Sequence, residues 1–149
     1  IADPAKPFVV SDLRLAVNSA SAQGADLEAD PGNSQQFQGY QAHYCTLPSR
    51  IDPTTIACSF IMSGLRVFDI STITKPVEIA YFNKPVPPSV PKQAEPAIVV
   101  GSFAMSAPAY DEATGDIWYS DGNSGFYVVR LTGAAARKRF AGKTHLPGN

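Results

Sequence analysis

Ser63-Gly64-Leu65-Arg66-Val67-Phe68-Asp69-Ile70-Ser71 aligns without a gap on Ser124-Gly125-Phe126-Tyr127-Val128-Val129-Arg130-Leu131-Thr132, 61 positions further along the chain. In each copy a strand-like run, residues 55–62 and 116–120, leads into a Ser-Gly turn and then into a second apolar run. Two extended segments joined by so short a connection lie side by side in opposite directions, so the repeating unit is a small antiparallel sheet. Ser63-Gly64 and Ser124-Gly125 stand at the same place in both copies, which marks them as turn residues and not as nucleophiles.

Working outward from the repeat, strands are expected at 37–47, 55–62, 65–70, 76–82, 98–107, 116–120 and 126–132, each bounded by Gly, Pro, Ser, Thr, Asn or Asp. The short connections favour meanders over crossovers. Segments 65–70 and 126–131 carry apolar residues on both faces and read as middle strands covered on both sides. Leu13-Arg14-Leu15-Ala16-Val17 places Leu13, Leu15 and Val17 on one face of an extended segment, a half-buried strand. Residues 19–33 are small, polar and punctuated by Gly and Pro, hence a loop, with one helical turn possible at 25–30. Segment 83–96 has five prolines and no strand period, so it is a stiff surface excursion with polyproline tendency. Residues 132–139 suit a helical turn. Arg137, Lys138, Arg139 and Lys143 form a basic terminal cluster, read as a solvated end or as an anchor to a partner chain.

Thirteen prolines, 11 glycines and abundant Val, Ile, Phe, Tyr and Thr give an all-β chain of short strands and turns. With 149 residues, 44% hydrophobic and 17% charged, it is long and apolar enough to bury about 68–70% of its unfolded surface. The formal net charge of −1 supplies no pull toward nucleic acid or an anionic membrane. No run approaches the roughly 18 apolar residues of a membrane helix. The chain starts at Ile1 without a basic or apolar leader, as expected of a processed chain or a piece of a longer one.

Propeller blades recur at about 40–50 residues, and the proline-rich excursion accounts for most of the excess in a 61-residue spacing. Gly64-Leu65-Arg66-Val67-Phe68-Asp69-Ile70-Ser71, followed by Lys75-Pro76-Val77-Glu78-Ile79-Ala80-Tyr81-Phe82, resembles the LVIVD repeat of bacterial and archaeal β-propellers thought to sit at the cell surface or outside the cell. The match to "G-L-x-V-x-D-I-S" and a following "P-x-x-V-A" strand falls on Gly64, Leu65, Val67, Asp69, Ile70, Ser71, Pro76 and Ala80. The second copy departs from it: Arg130 stands where Asp69 stands in the first, and no Pro-x-x-x-Ala strand follows Leu131. The resemblance implies antiparallel β-meander blades of a β-propeller. It divides the chain into an N-terminal strand and loop (1–36), two to three blades with a Pro-rich insertion at 83–96 (37–132), and a basic tail (133–149). A ring needs typically about 4–8 blades, so this chain is expected to be an incomplete ring that joins a protein partner, the remainder of a larger propeller, or further copies.

Cys45 and Cys58 lie on consecutive expected strands, and a hairpin centred between Ile51 and Asp52 sets them opposite each other. A disulfide is the expectation; two buried free thiols, or a weak metal pair with His43, are the alternatives. Closing a loop of this size would stabilise the fold by about 3 kcal/mol in the chain-entropy treatment, and would fit a secreted or cell-surface location. His43 and His145 are the only histidines, and no G-x-S-x-G stands in the chain. His145 is expected to be exposed in the tail; His43 is a structural or surface residue, or a ligand-binding one in a propeller channel. Asp121-Gly122-Asn123-Ser124-Gly125 offers alternate oxygens that suit a divalent cation such as calcium, yet it lacks a closing glutamate and is also an ordinary hairpin turn. Asp121 and Asn123 are therefore ligand-binding candidates, with the metal unknown and no cofactor required. Trp118, Tyr119, Phe126 and Tyr127 form either an aromatic binding face or core. Glu78, Asp111, Glu112 and Asp116 show no dedicated acid–base partner. No catalytic residue emerges. These features favour a non-enzymatic, extracytoplasmic binding or assembly scaffold; a metal-dependent propeller hydrolase of lactonase type and a secreted carbohydrate-binding module are the alternatives.

Overall fold

The computed structural model describes residues 3–15, 39–84, 102–111 and 113–138. The all-β expectation holds: seven strands form two antiparallel sheets among these residues, with no α-helix. The first sheet is the meander β1 (Tyr44–Thr46), β2 (Thr55–Ser59), β3 (Leu65–Asp69) and β4 (Val77–Phe82); the second is β5 (Ala109–Tyr110), β6 (Ile117–Asp121) and β7 (Gly125–Val129). Both sheets are open.

The two segments aligned at 61 residues pair in the same register. Ser59 faces Leu65 as Ser120 faces Phe126, Ala57 faces Val67 as Trp118 faces Val128, and Ile56 faces Phe68 as Ile117 faces Val129. The turn repeats as well: the Phe60 amide donates to the Gly64 carbonyl where Asp121 pairs with Gly125. Gly64 has φ of 72°, a left-handed conformation natural to glycine, and a Cβ there would run into the Phe82 carbonyl oxygen. The Thr55–Asp69 pair of the first sheet becomes an ion pair at the equivalent positions of the second. There Arg130 Nε and Nη2 donate to the two carboxylate oxygens of Asp116 at 2.6 and 2.7 Å. The arginine that breaks the sequence pattern thus meets a carboxylate across the strand.

The two sheets pack through one shared core. Ala57, Leu65 and Val67 of the first sheet share a core with Ile117 and Tyr119 of the second, joined by Phe82, Tyr127 and Val129. Phe82 lies 5.1 Å from Tyr127 and 6.3 Å from Tyr119, ring centre to ring centre, and the two tyrosines stack at 5.5 Å. The opposite face of the first sheet, with Cys58, Phe60 and Phe68, is covered by Leu13 and Leu15. Among the described residues no helix is long and apolar enough to cross a membrane.

Several expected elements differ. Residues 13–15 form no strand: Leu13 and Leu15 lie on a sheet face and not along an edge, so their burial brings no ladder bonds; residues 16–17 lie outside the described residues. Of the strand expected at 37–47, residues 37–38 lie outside the described residues and 39–47 form strand only at β1; the Gly39 carbonyl instead accepts from the Met62 amide in the β2–β3 turn. The part of 98–107 that is described makes no continuous strand. Ala104 bridges singly to Ile61 and to Asp121, and strand pairing resumes only after the buried Pro108. In that gap the Ser106 hydroxyl donates to the Ser120 carbonyl and accepts from the Ser120 amide, replacing the backbone pair that the bulging segment lacks. Among the described residues, segment 126–132 is not a middle strand: β7 ends at Val129 and stands at the edge of its sheet. Beyond it Leu131 and Ala135 turn into the core between the sheets, leading to the expected helical turn, a 3-10 turn at Ala135–Lys138. Helical turn 25–30, nearly all of the excursion 83–96, and Arg139, Lys143 and His145 lie outside the described residues.

Candidate functional site

The disulfide sits in the first hairpin. Cys45 and Cys58 are directly opposed in the β1–β2 register and are bonded, so neither thiol is left to bind metal.

The ligand candidates gather where segment 102–106 passes the turn ends of both sheets. Asp121 is 4% exposed. Its Oδ1 accepts the amides of Asn123 and Ser124 at 2.9 and 3.0 Å, and its Oδ2 accepts the amide of Phe103 at 2.6 Å. The Phe103 carbonyl in turn accepts the Gly122 amide at 2.8 Å. A carboxylate surrounded by backbone donors satisfies a turn from within. Asn123 occupies that turn and is half-buried. His43 is exposed; its Nδ1 lies 2.9 Å from the Met105 carbonyl and its ring stands edge-on to Tyr44. The structure therefore attaches His43 and Asp121 to one short segment, two residues apart, each through a backbone group. Among the described residues no three His, Cys, Asp or Glu side chains cluster as a metal site.

The aromatic group is divided between two faces. Tyr119 and Tyr127 point into the joint between the sheets, where burial, then the nearby charges of Asp121 and Tyr127, hold the Tyr119 phenol far above its ordinary range. Tyr110, in the same joint, is pushed up to about 12 by burial. Trp118, Phe126 and Val128 are 44, 63 and 53% exposed on the other face of the second sheet, with Trp118 and Phe126 edge-to-face at 6.2 Å. Sequence reading missed Val128 as part of this surface, although the repeat alignment sets it opposite the buried Val67. The carboxylates have structural partners: Glu78 accepts from Arg66 at 2.8 Å, while the same guanidinium covers the Tyr81 ring at 4.9 Å. Asp111 accepts amides of its own turn, which hold its carboxyl below the usual range. Glu112 lies outside the described residues.

A cleft of about 690 Å³ opens beside β7. Leu65, Val67 and Ala80 of the first sheet form one wall, and Val129, Leu131 and Ala135 the other. It is continuous with the core that joins the sheets.

Compared with protein-family models and with curated proteins, the chain has no match.

Proposed function

We propose that this chain is an LVIVD-like β-propeller segment that serves as a protein-binding or assembly scaffold, in a secreted or cell-surface setting. One observation carries the reading. Ala57, Leu65 and Val67 are buried under the second sheet, while Trp118, Phe126 and Val128, at the repeat-equivalent positions, face outward. A head-to-tail stack in which each sheet covers its neighbour with the same pair of faces leaves one such face open at its end. An exposed cluster of large apolar side chains is characteristic of an interaction site. The hairpin disulfide supports an oxidising compartment. The backbone engagement of Asp121 favours a scaffold over a hydrolase that would use that carboxylate as a metal ligand.

Native mass spectrometry of the purified chain, before and after denaturation and with metal analysis of the same sample, tests this reading. The expected result is a noncovalent assembly without stoichiometric metal that Trp118→Lys disperses. An assembly indifferent to Trp118→Lys overturns the reading, and about one tightly bound divalent ion per particle replaces it with the hydrolase.

A further inference from the structure

In the first sheet β4 lies along the outer edge of β3, with Leu65 facing Phe82 and Val67 facing Ala80. The second sheet repeats the register of the first through β7 and then stops. Among the described residues no strand pairs with the outer edge of β7, and the chain turns away after Val129. The cleft lies beside this edge and continues the interface that the two sheets already form. An edge that no described strand pairs, beside a cleft lined mainly by apolar side chains with Glu78, Arg130 and Thr132 among them, is a site for an added strand.

Such a strand has a defined chemistry. Side chains alternate between faces, so residues opposite Tyr127 and Val129 enter the cleft, and the one opposite Val128 extends the exposed face of Trp118, Phe126 and Val128. Both faces are apolar, hence the strand must carry consecutive apolar residues. Pro7-Phe8-Val9-Val10 fits: Phe8, Val9 and Val10 are 80, 83 and 42% exposed, belong to no sheet, and follow a proline of the kind accepted at a strand start.

We propose that the Phe8–Val10 segment of a second copy of this chain adds as the fourth strand on β7, antiparallel to it, with Val9 opposite Val128 and with Phe8 and Val10 in the cleft. The donor must come from another copy. Leu13 and Leu15 hold the segment on the face of the first sheet turned away from the second, about 20 Å from β7 across two sheet spacings. The residues from Phe8 to Leu13 span at most about 17 Å. Donor and acceptor lie at opposite ends of the stack, so the contact is heterologous and propagates into rings or open chains. The inference rests on the scaffold reading above and names the contact that assembles it.

Sedimentation velocity of the full chain, from micromolar to hundreds of micromolar, tests the exchange, with circular dichroism to verify that each variant is folded. Val9→Lys blocks the donor at an exposed position and Val128→Lys blocks the acceptor edge; each is expected to weaken association by at least about tenfold. An equimolar mixture of the two variants is expected to form a complex that stops at two chains, since one retains the acceptor and the other the donor. Association of Val9→Lys equal to that of the parent, or a parent that stays monomeric throughout, overturns the exchange. If Trp118→Lys disperses the parent while Val9→Lys does not, the scaffold reading stands and the strand exchange fails.

Discussion

The two sheets of this molecule share a register but not a surrounding. In the first, Val67 is buried between β2 and β4 and under the neighbouring sheet. In the second, Val128 occupies the equivalent position on an edge strand with its side chain in solvent. The first sheet is covered by Leu13 and Leu15 on one side and by the second sheet on the other; among the described residues the second is covered only where it meets the first. Identical local geometry therefore has unequal energetic weight, because burial depends on what is stacked on a strand and not on how it pairs.

The sharpest way to break this comparison is to place one charge at both positions. Val67→Asp puts an unpaired carboxylate into the joint and is expected to destabilise the chain by more than about 4 kcal/mol, or to unfold it. Val128→Asp is expected to change monomer stability by less than about 0.5 kcal/mol. Urea unfolding of the two variants decides it; equal losses would mean that the second face is covered.

Asp121→Ala gives the next effect. It strands the part-buried amides of Phe103, Asn123 and Ser124, at an expected cost of about 2 kcal/mol. The measurement is the urea midpoint with and without added calcium. A midpoint that calcium raises in the parent but not in the variant would make this turn a cation site and not merely a structural device.

The smallest effect concerns the joint itself. Tyr110 ionises near 10 when unfolded and at about 12 in the fold, and Tyr119 higher still. Between these values the folded chain holds more protons than the unfolded one, so stability is full below about pH 10 and falls as pH rises toward 12. Thermal melts across this interval should show the decline, reduced in Tyr110→Phe. A flat profile would show that water reaches the joint.

Much of the fold was legible in the residues. The Ser-Gly repeat, the hairpin centre between Ile51 and Asp52 and the turn residues located β2, β3, β6 and β7 and set Cys45 opposite Cys58, because pairing across short connections is a local matter. Segment 13–17 misled, since an alternating pattern records that one face is buried and not whether a neighbouring edge supplies hydrogen bonds. The stretch 126–132 was read as a middle strand because it is apolar on both faces, and among the described residues it is an edge strand: such a pattern records apolar surroundings on both sides and not whether a paired strand supplies them. At the candidate site the sequence identified Asp121, Asn123 and His43 as polar groups near turns. It was silent on the backbone amide that occupies the second carboxylate oxygen of Asp121, which arrives from Phe103 across 18 residues of chain.

By itself, then, the sequence determined β2, β3, β6 and β7, their antiparallel pairing and the facing of Cys45 and Cys58, all set by side-chain alternation and turn chemistry within a few tens of residues. Only the tertiary structure decided which face of the second sheet is buried, that Tyr119 and Tyr127 turn inward while Trp118 and Phe126 turn outward, and that among the described residues no strand pairs with the outer edge of β7. Those outcomes depend on the order in which sheets stack. Stacking buries one of two apolar faces, and the residues of a strand that is apolar on both carry no mark of which it will be.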